Sequence, residues 1–203
     1  MKRYFISGIG TGVGKTVMSA LLCEALQADY WKPVQAGDLE DSDTLTAQRL
    51  ISNSKTHFHK EAYQLPFALS PHASAENAGI EIDISLIQIP KTNNTLVIEG
   101  AGGLMVPINY ETLYIDLLSR WNVEVVLVSR HYLGSINHTL LSAELLKQRN
   151  ISVKGIVFNG DENPQSESVI LKHSGLEMLG RIPDTSNVDK VFIQAHASTF
   201  SNL

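Results

Sequence analysis

The stretch Gly8-Ile9-Gly10-Thr11-Gly12-Val13-Gly14-Lys15-Thr16 constrains this chain more than any other. It follows the apolar run Tyr4-Phe5-Ile6 and opens an apolar-periodic run through Val17, Leu21, Leu22, Ala25 and Leu26. The order is strand, glycine-rich turn, helix. Backbone N–H groups of such a turn converge on phosphate oxygens, and the helix N-terminus adds a favourable dipole. Lys15 is placed to reach the β- and γ-phosphates of a nucleotide, and the Thr16 hydroxyl to serve a Mg²⁺ site. The usual spacing, G-x-x-x-x-G-K-[ST], asks for glycine where Ile9 stands, so the loop is a one-residue variant with Gly8 one place early. The glycines at 8, 10, 12 and 14 still let backbone approach a ligand closely. With a strand before them and a helix after, nucleotide phosphate binding is the reading, rather than a chance Gly-Lys-Thr at a helix start.

At 203 residues the chain is long enough for one domain with a full core. A net charge of −5 and the lack of a Lys/Arg-dense run give no reason to expect a nucleic-acid partner. The single cysteine, Cys23, falls among apolar neighbours and reads as a small core residue, which fits a reducing compartment. Met1-Lys2-Arg3 leads into only a short apolar run, so neither a signal peptide nor a membrane span is expected, and the expected location is cytoplasmic.

Runs rich in apolar residues mark buried strands at Thr95–Ile98, Val123–Val128 and Val153–Phe158, with shorter strands at 29–34 and Glu177–Ile182. Helical patterns lie between them at Thr44–Ser52, Leu113–Trp121, Ser135–Gln148 and Gln165–His173. In Ser135–Gln148 the apolar face is read as Leu140, Leu141, Leu145 and Leu146. Ile82–Ile89 reads as a helix, although its alternation also allows a strand, and residues 53–79 read as a long ordered loop. The alternation predicts an α/β fold: a single-domain P-loop NTPase-type fold, mainly parallel sheet with helices on both faces. Such a sheet holds its ligands beyond the carboxyl ends of its strands. That rule makes Gly8–Thr16, Lys32, Glu99 and Asn159 neighbours in space.

The chemistry of those residues fits the placement. Glu99 stands where a carboxylate completes a magnesium site with Thr16; Asp43 is the better-placed further acid, with Glu40 and Asp41 as its rivals. Lys32 would add a second cation where charge builds during phosphoryl transfer. By spacing alone, Asn159 is a turn former before Gly160. The histidines show no metal-ligand pattern: His57 and His59 read as solvated, His131 and His173 as incidental.

Taken together, Thr11–Thr16, Lys32-Pro33-Val34, Ser70-Pro71-His72, Val97–Gly103 and Leu133–His138 resemble the dethiobiotin synthetases, and the resemblance runs from Arg3 to Pro183. It implies a homodimer that converts 7,8-diaminononanoate, CO₂ and ATP to dethiobiotin, ADP and phosphate, with ATP and Mg²⁺ as cofactors and no nucleic-acid or membrane partner. Carried onto this chain, Lys15 and Lys32 would hold the carbamate and the γ-phosphate, with Thr11 near the carbamate. Thr16, Asp43 and Glu99 would hold Mg²⁺. Gly12, Val13, Gly14, Val17, Gly100, Ala101 and Gly102 would surround the phosphates. Asn159, Gly160, Pro183, Asp184 and Thr185 would take adenine. Ala36, Pro71, His72 and the loop Gly134, Ser135, Ile136 and Asn137 would meet the diamine, the last across the dimer interface.

The chain departs from the family pattern at Gly10, where an acid is frequent, and at Ala36, where a hydroxyl is frequent; the 38–42 loop and the C-terminal end are short. A reading from another class is a partner-regulated ATPase switch of the cell-division or partitioning type. Such switches usually carry a second lysine near the loop start, where this chain has Gly10.

Overall fold

The computed structural model describes residues 1–203. Strands β1 (Arg3–Gly8), β2 (Asp29–Trp31), β4 (Phe58–His59), β6 (Leu96–Glu99), β7 (Glu124–Arg130), β8 (Val153–Asn159) and β9 (Met178–Ile182) form one sheet in the order β4-β2-β6-β1-β7-β8-β9. Every pairing in it is parallel. Strands β3 (Val34–Ala36) and β5 (Tyr63–Leu65) make a second, small parallel sheet. The helices are α1 (Lys15–Leu26), α2 (Asp43–Leu50), α3 (Pro71–Asn77), α4 (Tyr114–Leu118), α5 (Ser135–Gln148), α6 (Pro164–Ser174) and α7 (Lys190–Ala197). No helix is long and apolar enough to cross a membrane.

The period of two along each strand divides the core between the sheet faces. Tyr4 and Ile6 of β1, Tyr30 of β2 and Val97 of β6 pack with Met18, Leu21 and Leu22 of α1. Phe5, Trp31, Leu96 and Ile98 point the other way, onto Tyr114 and Ile115 of α4 and Leu146 of α5. Both faces are covered, which is why these strands read as unbroken apolar runs. Cys23 is fully buried in the first of these cores.

Four local expectations are corrected. Residues 53–79 are not one loop: β4 and β5 form there by pairing with β2 and β3, and Pro71 opens α3 from its first turn. Ile82–Ile89 holds only a 3₁₀ turn at Ile84–Leu86, because Ile82 and Ile87 already bury themselves without a helix. On α5, Leu141 is 61% exposed, and the buried stripe runs through Ser135, Thr139, Ala143 and Leu146. The histidines are also more engaged than expected. His59 Nε2 lies 3.2 Å from Asp29 Oδ2, and His131 Nε2 lies 2.8 Å from Glu167 Oε1 with its ring stacked on Phe158.

Candidate active site

The carboxyl ends of β1, β6 and β8 and the turn after β2 open into one cleft of about 800 Å³. Thr11, Gly12, Gly14, Lys15, Thr16 and Val17 form its floor. Helix α1 starts at Lys15 from Gly14, whose φ of 97° suits glycine, and no side chain caps its first turn. A Cβ on Gly14 would lie 2.3 Å from the Asn159 amide nitrogen. That amide donates to the Val13 carbonyl at 2.8 Å, so β8 is tied to the middle of the loop.

Lys15 turns back over the loop and donates to the Gly10 carbonyl at 2.9 Å. Burial, reinforced by the charge of Lys32, lowers its pKa to about 8. Lys32 is buried where β2 ends. Its ammonium is 2.5 Å from Asp43 Oδ2 and 3.3 Å from Glu99 Oε1, and it donates to the Gly100 carbonyl at 3.0 Å. Burial alone would lower the Lys32 pKa, but the Glu99 and Asp43 charges outweigh it and raise it. The converse holds at Asp43: burial pushes the carboxyl up, and Lys32 holds it below its ordinary value.

Ser42, not Asp43, caps α2 by accepting from the Leu45 amide. Asp43 is therefore the first residue of the helix and faces the cleft. The Thr16 hydroxyl lies 2.9 Å from Asp43 Oδ1 and 2.8 Å from Glu99 Oε1. One hydroxyl and two carboxylates thus converge at the foot of the phosphate loop. All-oxygen donors of this kind fit Mg²⁺, whose octahedron phosphate and water complete. Of the other acids considered, Asp41 is exposed and pairs with Arg49 at 2.6 Å, and Glu40 is exposed in the same 3₁₀ turn.

Ala36 and Pro71 form one side of the cleft, Ala101 and Gly102 another, and Asn159, Pro183, Asp184 and Thr185 the far end. The remaining expected residues lie elsewhere. Val13 and Gly100 are buried behind the wall. Gly160 lies beside Asn159 with its carbonyl bound by Arg181 at 3.2 Å. His72 turns from the cleft toward Tyr110, with ring centroids 5.4 Å apart, and its Nδ1 is 2.9 Å from Ser70 Oγ. Gly134, Ser135, Ile136 and Asn137 do not line the cleft.

The structure also adds residues that sequence reasoning passed over. Gln35 Oε1 accepts from the Asp43 amide at 3.3 Å while its Nε2 donates to the Gly37 carbonyl at 3.0 Å. Asp38 and Arg130 line the cleft. Both Gln35 and Arg130 sit at or next to a strand's carboxyl end, so the rule that found Glu99 would have found them had the strands been read to their full length.

Residues 2–191 match a family described as an AAA domain. The ATP-dependent dethiobiotin synthetase BioD of Cytophaga hutchinsonii is 53% identical, covering 97% of this chain and 96% of that protein. The namesake protein of Christiangramia forsetii is also 53% identical, covering 98% and 96%. That of Rhodopseudomonas palustris is 44% identical, covering 95% and 91%. Among solved structures, a ParA family ATPase from Chlorobium tepidum superposes with a TM-score of 0.60 at 16% identity, covering 98% of this chain and 90% of that one. The Pyrococcus furiosus cell division ATPase MinD superposes with a TM-score of 0.58 at 13% identity, covering 100% and 99%. At such low identity these two establish the architecture alone. The near-full-length identity to the synthetases establishes the relationship: this chain belongs to the ATP-dependent dethiobiotin synthetase family.

Proposed function

We propose that the chain, as one ligase domain spanning 1–203, closes the cyclic urea of dethiobiotin from 7,8-diaminononanoate, CO₂ and ATP, releasing ADP and phosphate. The observation that carries this reading is Lys32. It is a second buried cation, in contact with the two carboxylates beside the phosphate loop. A plain phosphate-binding loop needs only Lys15; a second fixed cation suits a reaction that joins one anion to another.

CO₂ first adds to one amine of the diamine, which loses a proton to give a carbamate. A carbamate oxygen attacks the γ-phosphorus as the bond to ADP breaks, giving a carbamic–phosphoric anhydride. The second amine then attacks the carbamoyl carbon, phosphate departs, and the amine proton is lost. Lys15 and Lys32 hold the carbamate and the γ-phosphate, with Thr11 near the carbamate. Thr16, Asp43 and Glu99 would hold Mg²⁺, which would supply charge neutralisation to the phosphoryl transfer. The chain's own residues mainly position and neutralise, as phosphoryl transfer requires.

Gly12–Val17 and Gly100–Gly102 surround the phosphates. Asn159, Gly160 and Pro183–Thr185 receive adenine at the far end of the cleft. Ala36 and Pro71 flank the diamine, with His72 behind them. The loop Gly134–Asn137 takes the diamine's carboxylate tail in a homodimer. Two features support that reading: the loop lies outside its own chain's cleft, and it follows Leu133, which is 103% exposed. A cytoplasmic setting suits a chain with one buried, unpaired cysteine.

The test is phosphate release from ATP with and without the diamine and bicarbonate. Release that requires both is expected. Steady release in their absence would overturn the reading.

A further inference from the structure

Glu99 is fully buried, and its two carboxylate oxygens have different partners. Oε1 accepts from Thr16 Oγ1 at 2.8 Å and from Lys32 Nζ at 3.3 Å. Oε2 accepts from the Tyr30 hydroxyl at 3.0 Å. Tyr30 and Lys32 are alternate residues of one extended segment and therefore share a face. Between them, that segment holds both oxygens of Glu99 from one side of the sheet.

The phenol is itself fixed. Tyr30 is fully buried, its backbone pairs in register with Val97, and its ring packs against Phe58 with centroids 5.7 Å apart. The terminal torsion of a glutamate is broad, so nothing intrinsic to Glu99 selects the plane of its carboxylate. A bond from a fixed donor to Oε2 selects it and leaves Oε1 toward Thr16. Partners of this outer kind orient metal-binding carboxylates, and their loss typically weakens metal binding by about 10- to 100-fold.

We infer that Tyr30 is a positioning residue for the metal site: it holds Glu99 Oε2 so that Oε1 faces the Thr16 hydroxyl before the cation binds. The inference rests on the metal assignment proposed above for Thr16, Asp43 and Glu99. Tyr30 belongs to no motif in the sequence, and its role is visible only through the hydroxyl that reaches Glu99.

The test is titration of Mn²⁺, another hard cation that favours oxygen ligands, into the ADP-bound protein, read by electron paramagnetic resonance. The proteins compared are the wild type, Tyr30→Phe, Glu99→Gln and the double variant. Tyr30→Phe should weaken Mn²⁺ binding by about tenfold. ADP affinity in EDTA should not change. In the Glu99→Gln background the loss should disappear, because the phenol acts through that carboxylate.

Unchanged affinity in Tyr30→Phe beside a loss in Glu99→Gln would overturn the positioning role and leave the metal assignment standing. No change in either variant would overturn both. A loss that persists in the Glu99→Gln background would mark a packing effect and also overturn the role.

Discussion

The side-chain amide of Asn159 donates to the carbonyl of Val13 at 2.8 Å, and so joins the end of β8 to the middle of the phosphate loop. The same amide fills the space where a Cβ on Gly14 would stand. Asn159 is therefore part of the loop's own architecture.

Asn159→Ala should accordingly weaken the binding of inorganic tripolyphosphate as well as ATP. One hydrogen bond of about 1 kcal/mol corresponds to a fall of about fivefold for both. Competition against a labelled nucleotide measures it. A loss confined to ATP would mean that Asn159 acts on the base alone.

Lys32→Ala should lower turnover by about 10²–10³-fold, because its charge matters most where transition-state charge develops. ATP affinity should change far less, since Lys15 and the loop backbone remain. Single-turnover phosphate release and equilibrium ATP binding separate the two effects. A wild-type rate would remove Lys32 from the chemistry.

Glu167 binds Arg181 through both oxygens, at 2.9 and 2.8 Å, and also accepts from the Asn163 amide at 3.0 Å. Burial pushes its carboxyl up, but Arg181, Asn163 and His131 together bring the pKa from 4.5 down to about 2. A lowered folded-state pKa favours the ionised form. The stability it contributes is fully present above pH 4.5 and is lost as the pH falls from 4.5 toward 2. Glu167→Gln should cost on the order of 2 kcal/mol near neutral pH and flatten the acid limb of unfolding. Chemical denaturation at several pH values checks this; an unaltered acid limb would refute it.

Gly37 has φ of 75°, and a Cβ there would lie 2.4 Å from the Ala68 Cα. Gly37→Ala should therefore cost at least about 1 kcal/mol of stability. Because Ala68–Pro71 line the cleft, the displaced backbone should raise KM for the diamine more than KM for ATP. Thermal melting and steady-state kinetics with each substrate varied provide the check.

The parallel strands were legible because both faces of the sheet are covered, so 96–98, 125–128 and 156–158 are apolar without interruption. Strands β4 and β5 were not. They are too short to carry a period, and they exist through pairing with β2 and β3. Helix α7 was also unread, although Ile193, Ala197 and the nearby Phe200 bury a face against the α1 side of the sheet. Among the acids that could join Thr16, Asp43 was the better placed, but position along the chain left Glu40 and Asp41 as rivals. Cap geometry separates them, because Ser42 takes the cap and turns Asp43 into the cleft.

By itself, the sequence determined the phosphate loop, the parallel alternation of strands and helices, and the edge of the sheet where chemistry would gather. Each follows from local properties: glycine-rich backbone before a helix, continuous apolar runs, and the direction of the strands. Only the tertiary structure decided which atoms meet there. Tyr30 on one oxygen of Glu99, Thr16 and Lys32 on the other, and Asn159 on the Val13 carbonyl are contacts between strands and loops far apart in the chain. Hydrogen bonds depend on distances of a few tenths of an ångström and on direction, and residue spacing along a chain specifies neither.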